Sequence, residues 1–134
     1  MDCIFCKIVN GELPARKIYE DEHTLAFLDV ADDVDGHTLV IPKKHIVNIF
    51  DCDRETLAQV MDTVKLVSEH YTKNCGYDGV NFLNASGASA QQTVFHLHIH
   101  IIPRKKDDKL NVWADFGGCK FTKDEMYEKL KMCK

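Results

Sequence analysis

Residues 94–103 read VFHLHIHIIP, an alternation of apolar residues and histidines that ends at a proline. The strict alternation and the isoleucines predict a β-strand over 94–102 rather than a helix, because successive side chains of a strand point to opposite faces. His96, His98 and His100 then share one face of that strand, at intervals of roughly 6.6–7 Å. The opposite face is wholly apolar, which predicts that it lies in the core; its residues are Phe95, Leu97, Ile99 and Ile101.

Shorter patterns on both sides of this strand predict the rest of the fold. A helical repeat of apolar residues predicts one long helix over 53–73, and Thr122 with Glu125 forms a capping box for a last helix. We expect the inner face of that last helix to consist of Met126, Tyr127 and Leu130. The other predicted elements are a helix over 3–10, a hairpin over 16–20 and 24–29, and strands over 38–41 and 80–83. Mostly short connections favour a mainly antiparallel sheet with helices packed on it, an α+β domain.

Length and composition limit the classes of protein that fit. A chain of 134 residues predicts a single domain over 1–134. Lys plus Arg number 17 and Asp plus Glu number 21, and the net charge of −4 argues against a binder of long nucleic acid while leaving small nucleotides open. No apolar run approaches about 18 residues and no targeting segment is recognisable, so we expect no membrane span. We also expect a cytoplasmic protein whose six cysteines are reduced.

The row of three histidines favours one of two chemistries. Imidazole is a good ligand for zinc, and a neutral imidazole is a good nucleophile near neutral pH. The loop over 87–93 favours attack on phosphorus, because its small residues expose backbone N–H groups to an anion. Ser89, Gln92 and Thr93 add side-chain donors to the same loop. Attack on phosphorus would give a phosphoimidazole that is reactive enough to be hydrolysed.

The histidine row also resembles the signature of the histidine triad (HIT) family, His-φ-His-φ-His-φ-φ, in which φ is apolar. Residues 96–102 match this signature in full. Further family-like segments follow in family order, at 4–8, 19–22, 26–29, 36–45 and 92–96. The resemblance implies the HIT fold, a five-stranded mainly antiparallel sheet with one long and two shorter helices, and it implies a homodimer.

The same resemblance implies an activity and the residues that perform it. The protein would be a nucleotide hydrolase or transferase acting at the α-phosphorus of a purine nucleotide conjugate: a phosphoramidate, a nucleotidyl-lysine or a dinucleoside polyphosphate. His98 would attack phosphorus and form a nucleotidyl-histidine intermediate. His100 would contact the phosphate, and His37 would help to orient the nucleophile. Gln92 and Thr93 would hold phosphate oxygens and the leaving group.

The nucleoside has its own implied contacts. Asp29 would accept hydrogen bonds from the ribose hydroxyls, and the side chains expected to sandwich the base are Ile4, Phe5, Ile8 and Phe27. Val30, Asn84 and Gln91 complete the expected substrate contacts. Asn84 stands one residue before the place where many members carry Asn or Gln, and Gln91 replaces a frequent glycine.

Cys3 and Cys6 form a Cys-x-x-Cys pair, whose spacing alone fits a redox pair, two small buried residues or half of a zinc site. A zinc site needs two histidines, and spacing does not choose among the seven. The pair resembles that of a zinc-carrying subgroup of HIT proteins. This resemblance implies a structural zinc ion bound by Cys3, Cys6, His45 and His96, which would exclude His96 from catalysis.

Two other functions compete with this one. The first is a nucleotide-binding or scaffold protein with little turnover, which an assay with adenosine phosphoramidate would separate. The second is a metallohydrolase whose metal binds His96, His98 and His100, which the metal content of a His98 variant would separate. The basic cluster over 104–106 is interpreted as a solvated strand end, with steering of phosphate as the alternative.

Overall fold

Five strands form one antiparallel sheet in this computed structural model, which describes residues 2–132. In chain order they are β1 (Lys17–Glu20), β2 (Thr24–Leu28), β3 (Thr38–Pro42), β4 (Gly79–Leu83) and β5 (Ile99–Arg104). Across the sheet the order is β1-β2-β3-β5-β4. The helices are α1 (Ile4–Val9), α2 (Arg54–Asn74) and α3 (Lys123–Leu130). The α+β prediction is confirmed; Met1, Cys133 and Lys134 of the predicted single domain lie outside the described residues.

Two hydrophobic clusters cover the two faces of the sheet. One lies under α2 and consists of Ala26, Val40, Val60, Val64, Val67, Tyr71, Ile99 and Ile101. The other lies under α1 and consists of Cys3, Phe5, Ile8, Leu25, Phe27, Leu39 and Ile41. Strand alternation produces this division, since neighbours in β2 and β3 point to opposite clusters. Each apolar side chain that is fully buried stabilises the fold by about 1.5–3 kcal/mol.

The long helix begins and ends where its sequence predicts. The Asp53 carboxylate accepts a hydrogen bond from the backbone N–H of Thr56, which satisfies one of the free donors at the start of α2. Cys75 caps the other end through its N–H, which donates to the carbonyl of Tyr71. No helix within residues 2–132 has the length and hydrophobicity to cross a membrane.

The predicted strand over 94–102 is wrong at both ends. β5 begins at Ile99 and continues through Pro103 to Arg104. Before Ile99 the backbone no longer pairs with a neighbouring strand. The N–H of Leu97 instead donates to the carbonyl of Ile46 at 2.7 Å, and Ile46 lies outside the sheet. Phe95, expected in the core, is 51% exposed, whereas the other three residues of the predicted apolar face are buried. Alternation therefore predicted the buried positions only where the chain is extended beside the core.

The last helix has the predicted start but not the predicted inner face. Thr122 and Glu125 form both hydrogen bonds of the capping box. Tyr127 and Leu130 are nevertheless 64% and 66% exposed, and Met126 is half-buried. Within the described chain, α3 belongs to neither hydrophobic cluster.

Candidate functional site

The three histidines of the row divide between two sites. His96 is fully buried and faces the cysteine pair, whereas His98 and His100 lie side by side with ring centroids 4.9 Å apart. His98 is 8% exposed and His100 is half-buried. Phe5 packs edge-on against both the His96 ring and the His98 ring, with centroids 5.8 and 5.2 Å apart, so the two sites are neighbours.

The His98 ring has one engaged nitrogen and one free nitrogen. Its Nδ1 lies 2.7 Å from the backbone carbonyl of His96, and a carbonyl only accepts, so Nδ1 carries the proton. The neutral ring then has its lone pair on Nε2, which has no hydrogen-bond partner among residues 2–132. Phe5 packs edge-on at 5.2 Å between centroids, and Asn84 donates from Nδ2 to the His98 carbonyl. The ring and the backbone of His98 are both held, and Nε2 of the ring is available.

A chain of hydrogen bonds orients His100. The carboxylate of Asp33 lies 2.9 and 3.1 Å from His37 Nδ1, so that nitrogen carries the proton. His37 Nε2 then accepts from His100 Nδ1 at 2.8 Å, which leaves Nε2 of His100 unprotonated in the neutral ring. This contact follows from the pairing of Leu39 with His100, which makes residue 37 a diagonal neighbour of residue 100.

The surroundings of His100 and Asp33 determine the protonation states of these two side chains. Burial, followed by the charges of His98 and His37, lowers the pKa of His100 to about 4, so the ring is neutral at pH 7. The hydrogen bond from His37 lowers the pKa of Asp33. Asp29 lies close by, with Oδ2 3.6 Å from His37 Nε2. The site therefore presents a neutral His100 imidazole close to the ionised Asp33 carboxylate.

A cleft of about 810 Å³ opens beside His37, and we call it the first cleft. Its wall includes four of the predicted nucleoside contacts, Ile8, Phe27, Asp29 and Val30. Val30 is 94% exposed at the rim, and Asp29 Oδ1 accepts the N–H of Ala31. Phe5 lies beneath His98 rather than on the cleft wall, and Ile4 is 51% exposed away from the cleft. Their predicted contact with the base stays a prediction.

The predicted phosphate-binding loop is held by Gln92. This side chain is 5% exposed, and its Nε2 donates to the carbonyls of Val47 and Val94 at 2.7 and 3.0 Å. Its Oε1 accepts the N–H of Gly87 at 2.9 Å and Nδ2 of Asn48 at 3.3 Å. Both ends of the Gln92 amide are thus engaged inside the protein. Its predicted contact with phosphate stays a prediction, and it would require the amide to give up one of these hydrogen bonds.

The other predicted loop contacts are placed differently. Gln91 has a φ of 71°, the left-handed region that favours glycine, which explains why a glycine suits this position. Thr93 is exposed. Asn84 uses both ends of its amide within the protein, because its Oδ1 accepts from Ser86 at 2.8 Å while its Nδ2 holds the backbone of His98. The predicted substrate contacts of these three residues stay predictions.

Cys3, Cys6, His45 and His96 form the second site. Their ligand atoms all lie within 4.8 Å of one another. Cys3 Sγ is 3.4 Å and Cys6 Sγ 3.6 Å from His96 Nδ1, and Cys6 Sγ is 3.3 Å from His45 Nδ1. Tetrahedral zinc, with Zn–S of about 2.3 Å and Zn–N of about 2.0–2.1 Å, would place sulfur and nitrogen roughly 3.6 Å apart. The four residues therefore fit a zinc ion in both chemistry and spacing.

The surroundings of this group also suit a metal. His96 Nε2 donates to the carbonyl of Pro42 at 2.8 Å, which keeps the lone pair on Nδ1, the atom that faces the thiols. Burial lowers the pKa of His96 and so favours its neutral, ligating form. Burial, together with Cys3, raises the pKa of the Cys6 thiol to about 11, a state that a bound cation would reverse.

Sequence reasoning missed two side chains that shape the site. Asp33 is absent from the predicted site residues, although its carboxylate fixes the tautomer of His37. Arg104 was interpreted as a solvated strand end, although it binds both carboxylate oxygens of Asp108 at 2.9 Å. Each pair joins residues four apart and includes at least one residue in an irregular segment, where no periodic pattern marks it.

Sequence comparison relates the chain to known proteins. A family model described as the HIT domain matches residues 10–107. The chain is 46% identical over 114 residues to the protein hit of Bacillus subtilis, and the match covers 84% of this chain and 79% of that relative. It is 44% identical over 113 residues to the adenylylsulfatase HINT3 of Arabidopsis thaliana, a match that covers 84% of this chain and 56% of that relative.

Comparison with solved structures gives the same result as the sequence comparison. A Zn-bound histidine triad family protein from Mycobacterium smegmatis superposes with a TM-score of 0.78 at 42% sequence identity. The superposition covers 86% of this chain and 84% of that chain. The Cys3–Cys6 pair, with the histidines that face it, fits the zinc-carrying subgroup.

Proposed function

Because the chain belongs to the HIT family and has its fold, we propose that it hydrolyses or transfers nucleotidyl groups, with His98 as the nucleophile. The substrate is a purine nucleotide conjugate: a phosphoramidate, a nucleotidyl-lysine or a dinucleoside polyphosphate. One observation carries the proposal: His98 Nδ1 is bonded to the His96 carbonyl, which leaves the lone pair of Nε2 free. A buried, neutral and oriented imidazole with a free nitrogen is the form in which histidine attacks phosphorus.

The reaction has two steps. His98 Nε2 attacks the α-phosphorus, and the bond from phosphorus to the leaving group breaks. Water then attacks the nucleotidyl-histidine and releases the nucleoside monophosphate. His100, whose free Nε2 lies beside His98, contacts the phosphate, and His37 holds His100 in place. The predicted Asp29 contact anchors the ribose in the first cleft.

Zinc has a structural role in this proposal. Cys3, Cys6, His45 and His96 would hold it, and it would supply a covalent tie between the N-terminal helix, the loop after β3 and the backbone beside His98. The alternative metallohydrolase requires His96, His98 and His100 to converge on one ion. His96 instead engages Pro42 and the cysteines, so we prefer the nucleophile.

We also infer a homodimer. β4 is an edge strand of the sheet, and Phe82 on it is 53% exposed. An open edge with exposed apolar side chains is a typical site of association. Sedimentation equilibrium should give twice the mass of the chain, and Phe82→Lys should shift it toward the monomer. A monomer at micromolar concentration would contradict this inference.

The activity is tested with purified protein and three substrates: adenosine 5′-phosphoramidate, adenylyl-lysine and a dinucleoside polyphosphate. We expect turnover of at least one, and His98→Ala should reduce it by more than the 10²–10⁴-fold typical of a general acid–base group. His23→Ala is a matched control, because His23 is exposed in the β1–β2 turn. Binding of AMP without turnover of any substrate would favour the scaffold alternative.

A further inference from the structure

Three side chains of the candidate site form a group with the geometry of metal ligands. They are Asp29, His37 and His100, and one nitrogen or oxygen atom of each lies within 4.8 Å of the other two. His37 Nε2 is 2.8 Å from His100 Nδ1 and 3.6 Å from Asp29 Oδ2. Ligands of a tetrahedral zinc ion, at about 2.0–2.1 Å from the metal, would stand roughly 3.4 Å apart, which these two distances bracket. We call this group the Asp29–His37–His100 cluster.

The backbone of the sheet holds the three positions together. Asp29 follows β2 directly and His37 precedes β3 directly, and the Asp29 N–H donates to the His37 carbonyl at 2.8 Å. Leu39, two residues beyond His37, pairs with His100 across β3 and β5. The cluster therefore stands at the ends of three neighbouring strands. Ligands placed on strands are held more precisely than ligands placed on loops.

Hydrogen bonds around the cluster orient its atoms as they do in metal sites. The Asp33 carboxylate lies 2.9 Å from His37 Nδ1, so the lone pair of His37 is on Nε2, the atom that faces the other two residues. A histidine that binds a metal through one nitrogen usually donates its other N–H to a carboxylate or a carbonyl. Asp29 is also held, since its Oδ1 accepts the N–H of Ala31 while Oδ2 faces His37.

The charge around the cluster favours a cation. Among the described residues on the wall of the first cleft, there are four carboxylates and one guanidinium, that of Arg16. The carboxylates are those of Asp29, Asp32, Asp33 and Asp35. Such an excess of negative charge raises the local concentration of cations. The side chains of His37 and Asp29 are 10% and 19% exposed, so an ion can reach the cluster from the cleft.

We propose that the Asp29–His37–His100 cluster is a second metal site, which binds Zn²⁺ reversibly and in competition with the nucleotide. Two imidazole nitrogens and one carboxylate oxygen suit zinc, whereas Mg²⁺ prefers oxygen ligands. The cluster offers three ligands and no thiolate, so its ion should exchange more readily than that of the cysteine site. The competition rests on the proposed function, which assigns Asp29 to the ribose and His100 to the phosphate. The binding of zinc does not rest on it.

Binding of the ion moves one proton. In the metal-free cluster, Nδ1 of His100 donates a hydrogen bond to Nε2 of His37. Both nitrogens become ligands, so the proton leaves Nδ1, and Nε2 of the same ring takes up a proton from water. The His100 ring stays neutral, and no proton is gained or lost in the sum. The ion then engages both imidazoles and the free oxygen of Asp29, which excludes the ribose and phosphate contacts.

The first test counts zinc in the purified protein after dialysis against buffers that fix the concentration of free zinc. We expect a second equivalent to bind as free zinc rises, in addition to that of the cysteine site. His37→Gln should abolish the second equivalent and keep the first. Asp33→Asn removes the charge behind His37 and should weaken the second equivalent by roughly 10–100-fold. Melting temperatures verify that each variant is folded.

Two exposed histidines provide matched controls. His70 Nε2 lies 3.6 Å from Cys75 Sγ, and His23 Nε2 lies 3.8 Å from a carboxylate oxygen of Glu22. Each pair has two ligand types of a zinc site but lacks a third ligand among the described residues. His70→Ala and His23→Ala should therefore keep the second equivalent. Loss of the second equivalent in either control, with retention in folded His37→Gln, would overturn the proposal.

The second test measures competition. AMP at about ten times its own dissociation constant should raise the apparent dissociation constant of the second zinc about elevenfold, as mass action requires of ligands that exclude each other. Zinc beyond the first equivalent should also slow turnover of adenosine 5′-phosphoramidate. NMR of the ring nitrogens of His100 should show the proton on Nε2 when the second zinc is bound and on Nδ1 when it is not.

Each failure has a separate meaning. Protein that saturates at one equivalent of zinc would overturn the second site. Tighter binding of the second zinc in the presence of AMP, or faster turnover with it, would overturn the competition. A second equivalent that depends on His37, in a protein that turns over no substrate and forms no adduct on His98, would overturn the proposed function and leave the second metal site in place.

Discussion

His96 and His98 stand two residues apart in one repeat, yet they have opposite surroundings. Both ring nitrogens of His96 face partners, with Nε2 at the Pro42 carbonyl and Nδ1 at the cysteines. Among residues 2–132, the His98 ring has one hydrogen-bond partner, the carbonyl of His96 itself. In the proposed function, the nitrogen that a carbonyl engages decides whether the side chain acts as a ligand or as a nucleophile. Variants on the two sides of this contrast should therefore fail in different ways.

Removal of zinc should have the largest effect. A structural zinc ion contributes folding free energy directly, on the order of 10 kcal/mol in zinc-finger peptides, so EDTA should lower the melting temperature markedly. Cys6→Ser and His96→Ala should lose the metal by elemental analysis, whereas His98→Ala should keep it. Cys75→Ser is the matched control, because Cys75 is an exposed cysteine at the end of α2. Protein that carries no zinc and melts identically with EDTA would refute the metal site.

The sugar contact should have a smaller effect. If Asp29 accepts the ribose hydroxyls, Asp29→Ala should weaken binding of AMP by roughly 1.5–3 kcal/mol, the range for hydrogen bonds to a charged group. The same substitution should weaken the binding of deoxy-AMP by a smaller free energy. Asp32→Ala, an exposed carboxylate in the same turn, serves as the control and should not discriminate between the sugars. Equal losses for AMP and deoxy-AMP by calorimetry would count against the ribose contact.

The protonation of His100 should make the stability of the protein depend on pH. Burial lowers its pKa to about 4, whereas an unfolded histidine has a pKa near 6.5, so the unfolded chain binds more protons between these values. The free energy of unfolding should therefore fall as the pH falls from about 6.5 toward 4. The ring nitrogens of His100, followed by NMR, should titrate with a midpoint below pH 5. A midpoint near 6.5 would show that the ring is not held neutral.

The sequence predicted much of the framework, because periodic patterns mark it. The repeat in α2, the capping box at Thr122 and the burial of Leu97, Ile99 and Ile101 all follow from local rules. The row of histidines indicated the place of the candidate site because it too is a periodic pattern. The pattern failed where tertiary contacts replace the regular ladder, as at Phe95, and where an exposed helix lacks a partner within the described chain, as in α3.

Side-chain pairs that involve turns could not be predicted from such local rules. The hydrogen bond from His37 to Asp33 and the ion pair of Arg104 with Asp108 depend on how the turns fold back, which no periodic pattern predicts. Both nevertheless act on the predicted site. The first sets the tautomer of His37 and, through it, of His100. The second fixes the segment that follows β5, since Arg104 also donates to the carbonyl of Leu110, which lines a cleft together with His100.

The central claim is that His98, and not its neighbour His96, bonds to phosphorus. Mass spectrometry of a rapidly quenched reaction with adenosine 5′-phosphoramidate, kept free of acid, tests this most directly. We predict an adenylyl group on the peptide that contains His98, absent from His98→Ala, while zinc content is the same in both proteins. The absence of an adduct during turnover, together with loss of metal from His98→Ala, would contradict the account and favour a metallohydrolase.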